Sequence, residues 1–296
     1  MSKINSNFNG SNESINSNYL LDTNVFIKAI EEDKKCLGSS ICIVTIVEML
    51  RNKSEKERIE KLKKINSFIK KNQISIYYDP SLSDNPTDNY DEIIKICKKT
   101  IDKLATDYIV FINDIFIIIA METCKIKYKN VDVNLFKKIM NKCNYETCKF
   151  IDKCRERIIE AVFENNKKNN DKKFFTEIFI ALAKKLNEEF GINIINTEIK
   201  SINMKDIIIN NDLKPMTYDY LKTEYCGLFE TINGDQNKTK ILLFYSYQLL
   251  HDGGKIEYND FVDMEIVWCA YDNGLKLMSM DKKANKLYEY IKEQNF

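Results

Sequence analysis

Asp22, Glu48, Asp263 and Asp281 are the residues of this chain best suited to chemistry. Each lies where an apolar stretch gives way to a turn or to the start of a helix. In an open parallel sheet such positions converge outside the carboxyl ends of the strands, where these folds bind ligands. Clustered carboxylates repel one another and raise one another's pKa unless a cation neutralises them. His251 is the sole histidine, so the donors suit a hard divalent cation, Mg2+ or Mn2+, rather than zinc. An ion held this way lowers the pKa of a water and neutralises charge growing on a phosphodiester. The expected chemistry is metal-assisted hydrolysis.

The elements that must position these acids are legible at both ends of the chain. Residues 19–21 read as a first strand, with a helix over 25–31 starting beside Asp22. Residues 41–44 are β-branched and apolar apart from Cys42, as a buried parallel strand should be. Thr45 then reads as an N-cap with Glu48 at its N3 position, a capping box that gives Glu48 a structural alternative to chemistry. A helix over 51–71 places Ile59, Leu62, Ile65 and Phe68 at helical spacing, and residues 73–78 read as another strand. Near the C-terminus Asp260 is placed as the N-cap of a helix carrying Asp263. Gly274 ends that helix, residues 275–280 form a strand, and Asp281 lies at its carboxyl end.

The middle is different in kind. Residues 90–103, 105–125, 133–142, 147–166 and 171–189 read as helices, followed by a strand-like stretch at 192–195 and helices over 217–231 and 238–250. The run 108–121 is strongly apolar but short for a bilayer and interrupted by Asn113 and Asp114, so a buried core helix is expected and no membrane partner. Asp114 inside it is an unusual burial, expected to answer a lysine or to mark a helix boundary.

Composition narrows the class further. With 296 residues and 44% hydrophobic content the chain can bury a large core, and a net charge of +1 gives no global pull on a polyanion. Nine cysteines, an odd number, suggest a reduced, cytoplasmic protein with mostly buried thiols. Cys143, Cys148 and Cys154 lack the spacing and the histidine that zinc would need. The Asn/Ser-rich residues 1–18 carry no apolar signal-peptide core and are expected to be a disordered tail.

LLDTNVF, VTIVEM, NDFVDMEIVWCA and LKLMSMD, beginning at Leu20, Val44, Asn259 and Leu275, resemble the four acidic motifs of the PIN domain, a family of metal-dependent nucleases. The resemblance implies an α/β fold with a parallel sheet flanked by helices, and Asp22, Glu48, Asp263 and Asp281 as catalytic and metal-binding acids. It also implies Asn24 and Ser279 as supporting polar groups, with RNA as the usual substrate and DNA left open. It covers about residues 19–80 and 255–296. Residues 81–254 are then a mainly helical insertion or subdomain, which sets the chain apart from compact family members.

Cations supply a further expectation. Between Arg51 and Lys71 there are nine Lys/Arg against three Glu. Arg51, Lys53, Lys56 and Arg58, with Lys125 and Lys127 in the insertion, are candidate phosphate contacts. Tyr128 and Tyr145 are candidates for stacking on bases. The leading expectation is an endoribonuclease. The alternatives are an RNA-binding or scaffold protein of the same fold, or a toxin silenced by an inhibitory protein partner, and a homo-oligomer is open in each case. A phosphatase with an aspartyl nucleophile is disfavoured, because it expects a second Asp where Asn24 stands and leaves Glu48 without a role.

Overall fold

The computed structural model describes residues 18–51, 53–79, 90–127, 133–163, 171–194, 211–226, 236–252 and 258–293. In chain order the first half holds β1 (Tyr19–Leu21), α1 (Thr23–Glu31), β2 (Ser40–Cys42), α2 (Ile43–Leu50), α3 (Glu55–Asn72), β3 (Ser75–Tyr77) and α4 (Tyr90–Lys127). There follow α5 (Val133–Phe163), α6 (Asp171–Phe190), α7 (Tyr218–Glu224), α8 (Gln236–His251), α9 (Tyr258–Asp272), β4 (Lys276–Met278) and α10 (Lys282–Glu293). The chain forms two compact units, Met1–Thr100 with Glu265–Asn295, and Ile101–Met264.

The first unit is built on a parallel sheet of four strands in the order β3-β2-β1-β4. Leu20, Leu21 and Ile41 are fully buried at its centre, as parallel strands covered on both faces require. The chain steps outward from β1 to β2 to β3, then returns from far along the sequence to lay β4 on the other side of β1. The strand order therefore reverses between β1 and β4. That switch point is where an open parallel sheet leaves a crevice beyond its carboxyl ends. The amide of Asp22 donates to the carbonyl of Met278 at 3.0 Å, so the two strand ends are tied together at this point.

Local chemistry explains the helices around it and corrects several expectations. α3 starts at Glu55 rather than at 51, because Ser54 caps it with a complete capping box: Ser54 and Glu57 satisfy each other's backbone amides. Gln73, at φ 53°, closes it in the left-handed conformation. Leu62, Ile65 and Phe68 are buried, and Phe68 meets Phe26 of α1 edge-on at 5.8 Å, but Ile59 is exposed. α2 begins directly at Ile43 with Cys42 in the N-cap position. Thr45 thus lies inside the helix, fully buried, and the expected Thr45–Glu48 capping box does not exist. The strand is shorter than its β-branched run because Ile43 and Val44 are taken into the helix.

The second unit is helical. The two helices expected over 90–125 are one, α4, and those expected over 133–166 are likewise one, α5. Asp114 therefore marks no boundary. From Phe116 to Ala120 every side chain of α4 is fully buried, the condition for a helix that is apolar all round. Among the described residues α4 is the helix long and apolar enough to cross a bilayer, yet 83% of its most apolar window is buried within the protein. The core-helix expectation agrees with that burial. Asn113 links α4 to α5 by donating to Asn144 at 2.7 Å and accepting from Thr147 at 2.8 Å. Tyr108 packs on Tyr258 and Phe261 of α9 at 5.2 and 5.3 Å.

Residues 192–194 belong to no strand: the loop is held instead by Asn211, whose side chain donates to the Ile194 carbonyl at 2.9 Å. α7 ends at Glu224, and residues 227–231 lie outside the described residues, as do residues 1–17, where the tail was expected. Five of the described cysteines, Cys36, Cys42, Cys97, Cys124 and Cys143, are buried, and all those described are free thiols.

Candidate active site

β1 ends at Leu21, so Asp22 stands at the switch point, at the N-cap position of α1. Its backbone is extended there (φ −65°, ψ 160°), but its side chain makes no capping hydrogen bond. The carboxylate is free for another use. It accepts a hydrogen bond from the Ser279 hydroxyl, delivered from the end of β4. Ser279 in turn accepts from the amide of Asp281 at 2.9 Å. One hydroxyl thus connects the first acid to the backbone of the last. Asp22 is only 4% exposed, and burial is the main cause that raises its pKa. The Ser279 hydrogen bond and the nearby amides of Asn24 and Thr23 oppose that rise, and the charge of Asp281 adds to it.

Glu48 reaches the same region from α2. With no cap to make, its carboxylate accepts from the hydroxyl of Thr23, itself buried at the start of α1. Burial is again the leading cause that raises the Glu48 pKa; the Thr23 hydrogen bond lowers it, Asp22 raises it, and Arg51 at the end of α2 lowers it. Asp22 and Glu48 therefore feel each other, and each is held by one hydroxyl donor. Two acids that resist ionisation side by side form a place where positive charge is stabilised.

Asp281 is shared between two tasks. One carboxylate oxygen accepts from the amides of Lys283 at 2.6 Å and Ala284 at 3.4 Å, which caps α10 in the manner of an N-terminal aspartate. Its charge still reaches Asp22. The structure thus brings together Asp22, Glu48 and Asp281, with Ser279. Asp263 belongs to the other compact unit, half-buried on α9 one residue before the division. Asp260 is in the first turn of α9, two residues after the first described helical residue, so it sits inside the helix rather than at the N-cap position.

Thr23 is the participant that sequence reasoning missed. Asn24 drew attention as the polar neighbour of Asp22, but its side chain is exposed. The usable signal was a Thr whose two sequence neighbours on the apolar side, Leu21 and Val25, are both core residues.

The donors gathered here are carboxylates and hydroxyls. That set suits Mg2+ or Mn2+, and the raised pKa values of Asp22 and Glu48 are what a cation would relieve. The side chains stand in hydrogen-bonded pairs, however, and among the described residues no group of three or more His, Cys, Asp or Glu is arranged to hold a metal ion.

The candidate phosphate contacts divide. Arg51, Lys53, Lys56 and Arg58 lie in the first unit, at the end of α2 and the start of α3. Lys125 is engaged by Glu122 at 3.3 Å, Tyr220 at 2.9 Å and Glu224 at 3.1 Å. Lys127 donates to the Asn193 carbonyl at 2.9 Å and to Asn211 at 2.7 Å. Both bind protein acceptors that fasten α4 to later segments. Tyr145 is exposed, with Lys149 4.0 Å from its ring centre, and Tyr128 lies outside the described residues. Compared with known proteins, the chain matches no protein-family model, no curated protein and no solved structure.

Proposed function

We propose that this protein is a metal-dependent nuclease of PIN-like architecture that hydrolyses phosphodiester bonds, with RNA as its first candidate substrate. The observation that carries the reading is the Asp22–Ser279 hydrogen bond at the β1/β4 switch point, with Glu48 and Asp281 within electrostatic reach of Asp22. Asp22, Glu48 and Asp281 would hold Mg2+ or Mn2+, and Asp263 is the further acid that the motif resemblance assigns to the set. When bound, such an ion supplies a water of lowered pKa and charge neutralisation at the phosphate.

The remaining work falls to the chain itself. Ser279 orients Asp22, and Thr23 orients Glu48. Burial raises the Glu48 pKa in the absence of an ion, and a bound cation would offset that rise and keep the carboxylate ionised. Arg51 also draws that pKa down and so favours the ionised form that would hold the ion.

A second reading, a nucleic-acid-binding or scaffold protein of the same fold, is favoured by the commitment of Asp281 to the α10 cap. The test is cleavage of labelled single-stranded RNA, folded RNA and DNA with Mg2+, Mn2+ or EDTA, using Asp22→Asn, Glu48→Gln and Asp263→Asn as controls. Metal-dependent cleavage lost in Asp22→Asn and Glu48→Gln supports the nuclease. Strand binding without cleavage by any metal form would replace it with the binding reading. A co-purifying protein that silences cleavage would make the enzyme a toxin.

A further inference from the structure

Thr45 carries a hydroxyl that nothing around it satisfies. Thr23, Thr45, Thr100, Thr123 and Thr147 are the buried threonines among the described residues. Thr100 and Thr123 donate to the carbonyls of Ile96 and Ile119, four residues back, at 2.8 Å each. Thr147 donates to Asn113, and Thr23 donates to Glu48. Thr45 is fully buried, yet its hydroxyl makes no hydrogen bond. The cause lies in where α2 starts. The helix begins at Ile43, so the residue four back from Thr45 is Ile41, which belongs to β2. The back-bond of a threonine inside a helix is therefore not made. A buried hydroxyl without a partner costs stability, and such groups are few in native structures.

Glu48 lies three residues further along α2, on the same side of the helix. Its Oε2 accepts from Thr23, while among the described residues its Oε1 has no hydrogen bond. An ionised carboxylate offers about four lone-pair positions, so Glu48 can take a second donor and still present lone pairs to a cation. A hydroxyl and a glutamate three residues apart do meet in this chain: Ser54 Oγ donates to Glu57 at 2.6 Å. An unused donor and an unused acceptor thus lie one helical turn apart, on the element that brings Glu48 toward Asp22.

We propose that Thr45 is a positioning residue of this site: when a divalent cation binds, its hydroxyl donates to Glu48 Oε1, so that Thr45 and Thr23 grip the carboxylate from both oxygens and fix the direction of its remaining lone pairs. This rests on the metal-dependent reading of the site. Rotation of the Glu48 side chain about its own bonds is the movement required, with α2 staying in place. A hydrogen bond to an ionised carboxylate is stronger than one between neutral groups, so the Thr45 donor gains most where Glu48 is a metal ligand.

The experiment titrates the full chain with Mn2+, following free Mn2+ by its electron paramagnetic resonance signal, beside thermal melts in EDTA. Thr45→Val keeps the shape of the side chain and removes the hydroxyl. It should weaken Mn2+ binding roughly 10- to 100-fold, the range for groups that orient metal ligands. Its melting temperature in EDTA should stay level or rise, because an unsatisfied buried hydroxyl is gone. Thr45→Ser keeps the hydroxyl and loses a buried methyl group. It should melt lower than wild type in EDTA, yet bind Mn2+ as wild type does. Thr123→Val, which removes a buried hydroxyl bonded within its own helix, should leave Mn2+ affinity unchanged.

A merely structural threonine would make Mn2+ affinity follow melting temperature across these variants, whereas the proposal puts Thr45→Val and Thr45→Ser in opposite orders in the two measurements. Thr45→Val that binds Mn2+ like wild type, while Asp22→Asn does not, overturns the role of Thr45 alone. So does Thr45→Ser that binds as weakly as Thr45→Val. Wild type that binds Mn2+ no better than Asp22→Asn sinks the metal reading, and this proposal falls with it.

Discussion

Replacing Asp114 by Asn should remove a pH dependence from the stability of the helical unit. Asp114 lies in the middle of α4, 4% exposed, between Asn113 and the fully apolar run that follows. Burial alone raises its pKa from 3.8 to about 8, and among the described residues neither a cation nor a hydrogen-bond donor offsets it. Among the described residues no lysine answers it. A folded pKa above the unfolded value means that stability is full below pH 3.8 and is lost as pH rises toward 8. Each pKa unit is worth about 1.4 kcal/mol, so the cost is about 2 kcal/mol at pH 5 and about 4 kcal/mol at pH 7. That is a large share of the roughly 5–15 kcal/mol that holds a folded protein together. Urea unfolding of wild type and Asp114→Asn at pH 5, 6 and 7 reads the difference directly, because the other titrating groups are common to both. The advantage of the variant should grow by about 2–3 kcal/mol from pH 5 to pH 7. The polar amide has its own burial cost, but that cost is the same at every pH. A difference that stays flat from pH 5 to pH 7 would refute the argument that this carboxyl is held in an unrelieved apolar setting.

Other outcomes follow from the site and its supports. Asp22→Asn should stabilise the metal-free protein by roughly 0.5–2 kcal/mol while abolishing cleavage, as loss of a strained functional acid does; thermal melts in EDTA beside the cleavage assay check both halves. Mn2+ at about 100 times its dissociation constant should stabilise wild type by about 2.7 kcal/mol, and much less in Asp22→Asn or Glu48→Gln; a melting temperature that ignores the ion in all three proteins would count against the metal reading. Thr23→Val should raise the Glu48 pKa further, because the hydroxyl that now lowers it is gone, and so shift the acidic limb of activity to higher pH; a pH–rate profile shows this, with Thr23→Ser as the variant that keeps the donor. Ser54→Ala should cost about 1 kcal/mol of stability through loss of the α3 cap, with no change in Mn2+ affinity.

The fold was legible where a single period spoke clearly. Leu20, Leu21 and Ile41 announced buried parallel strands, and the apolar stripe of α3 announced its inward face. Misreadings came where local signals competed. Thr45 and Glu48 have the spacing of a capping box, but Ser54 and Glu57 have it too, and only the second pair forms one. The difference is what precedes them. Ile43 and Val44 pack into the core as the first turn of α2, so Thr45 arrives too late to cap, whereas Ser54 and Glu57 are both exposed at the start of α3 and free to turn toward each other. The polar residues Asn113 and Asp114 suggested an interruption that α4 does not have. Asn113 is satisfied by α5, and the buried apolar run on both sides of Asp114 carries the helix through it despite its modest helix propensity and the cost of desolvating its carboxyl.

At the candidate site the sequence pointed to the acids and, through the motif resemblance, to Ser279, but not to Thr23 or to which donor meets which acid, and the reason is physical. An acid at a strand end is visible because strand and acid are contiguous. The Ser279–Asp22 and Thr23–Glu48 pairs join residues 257 and 25 positions apart, and only the β1/β4 and β1/β2 pairings bring them together. The same pairings explain why Glu48 reads as functional once its capping role is removed. A glutamate with no cap to make, raised in pKa first by burial and further by the charge of Asp22, lowers stability where it stands. Local chemistry that costs stability without a structural return is a mark of functional sites, and the Asp22–Glu48 pair stands where the order of the strands reverses.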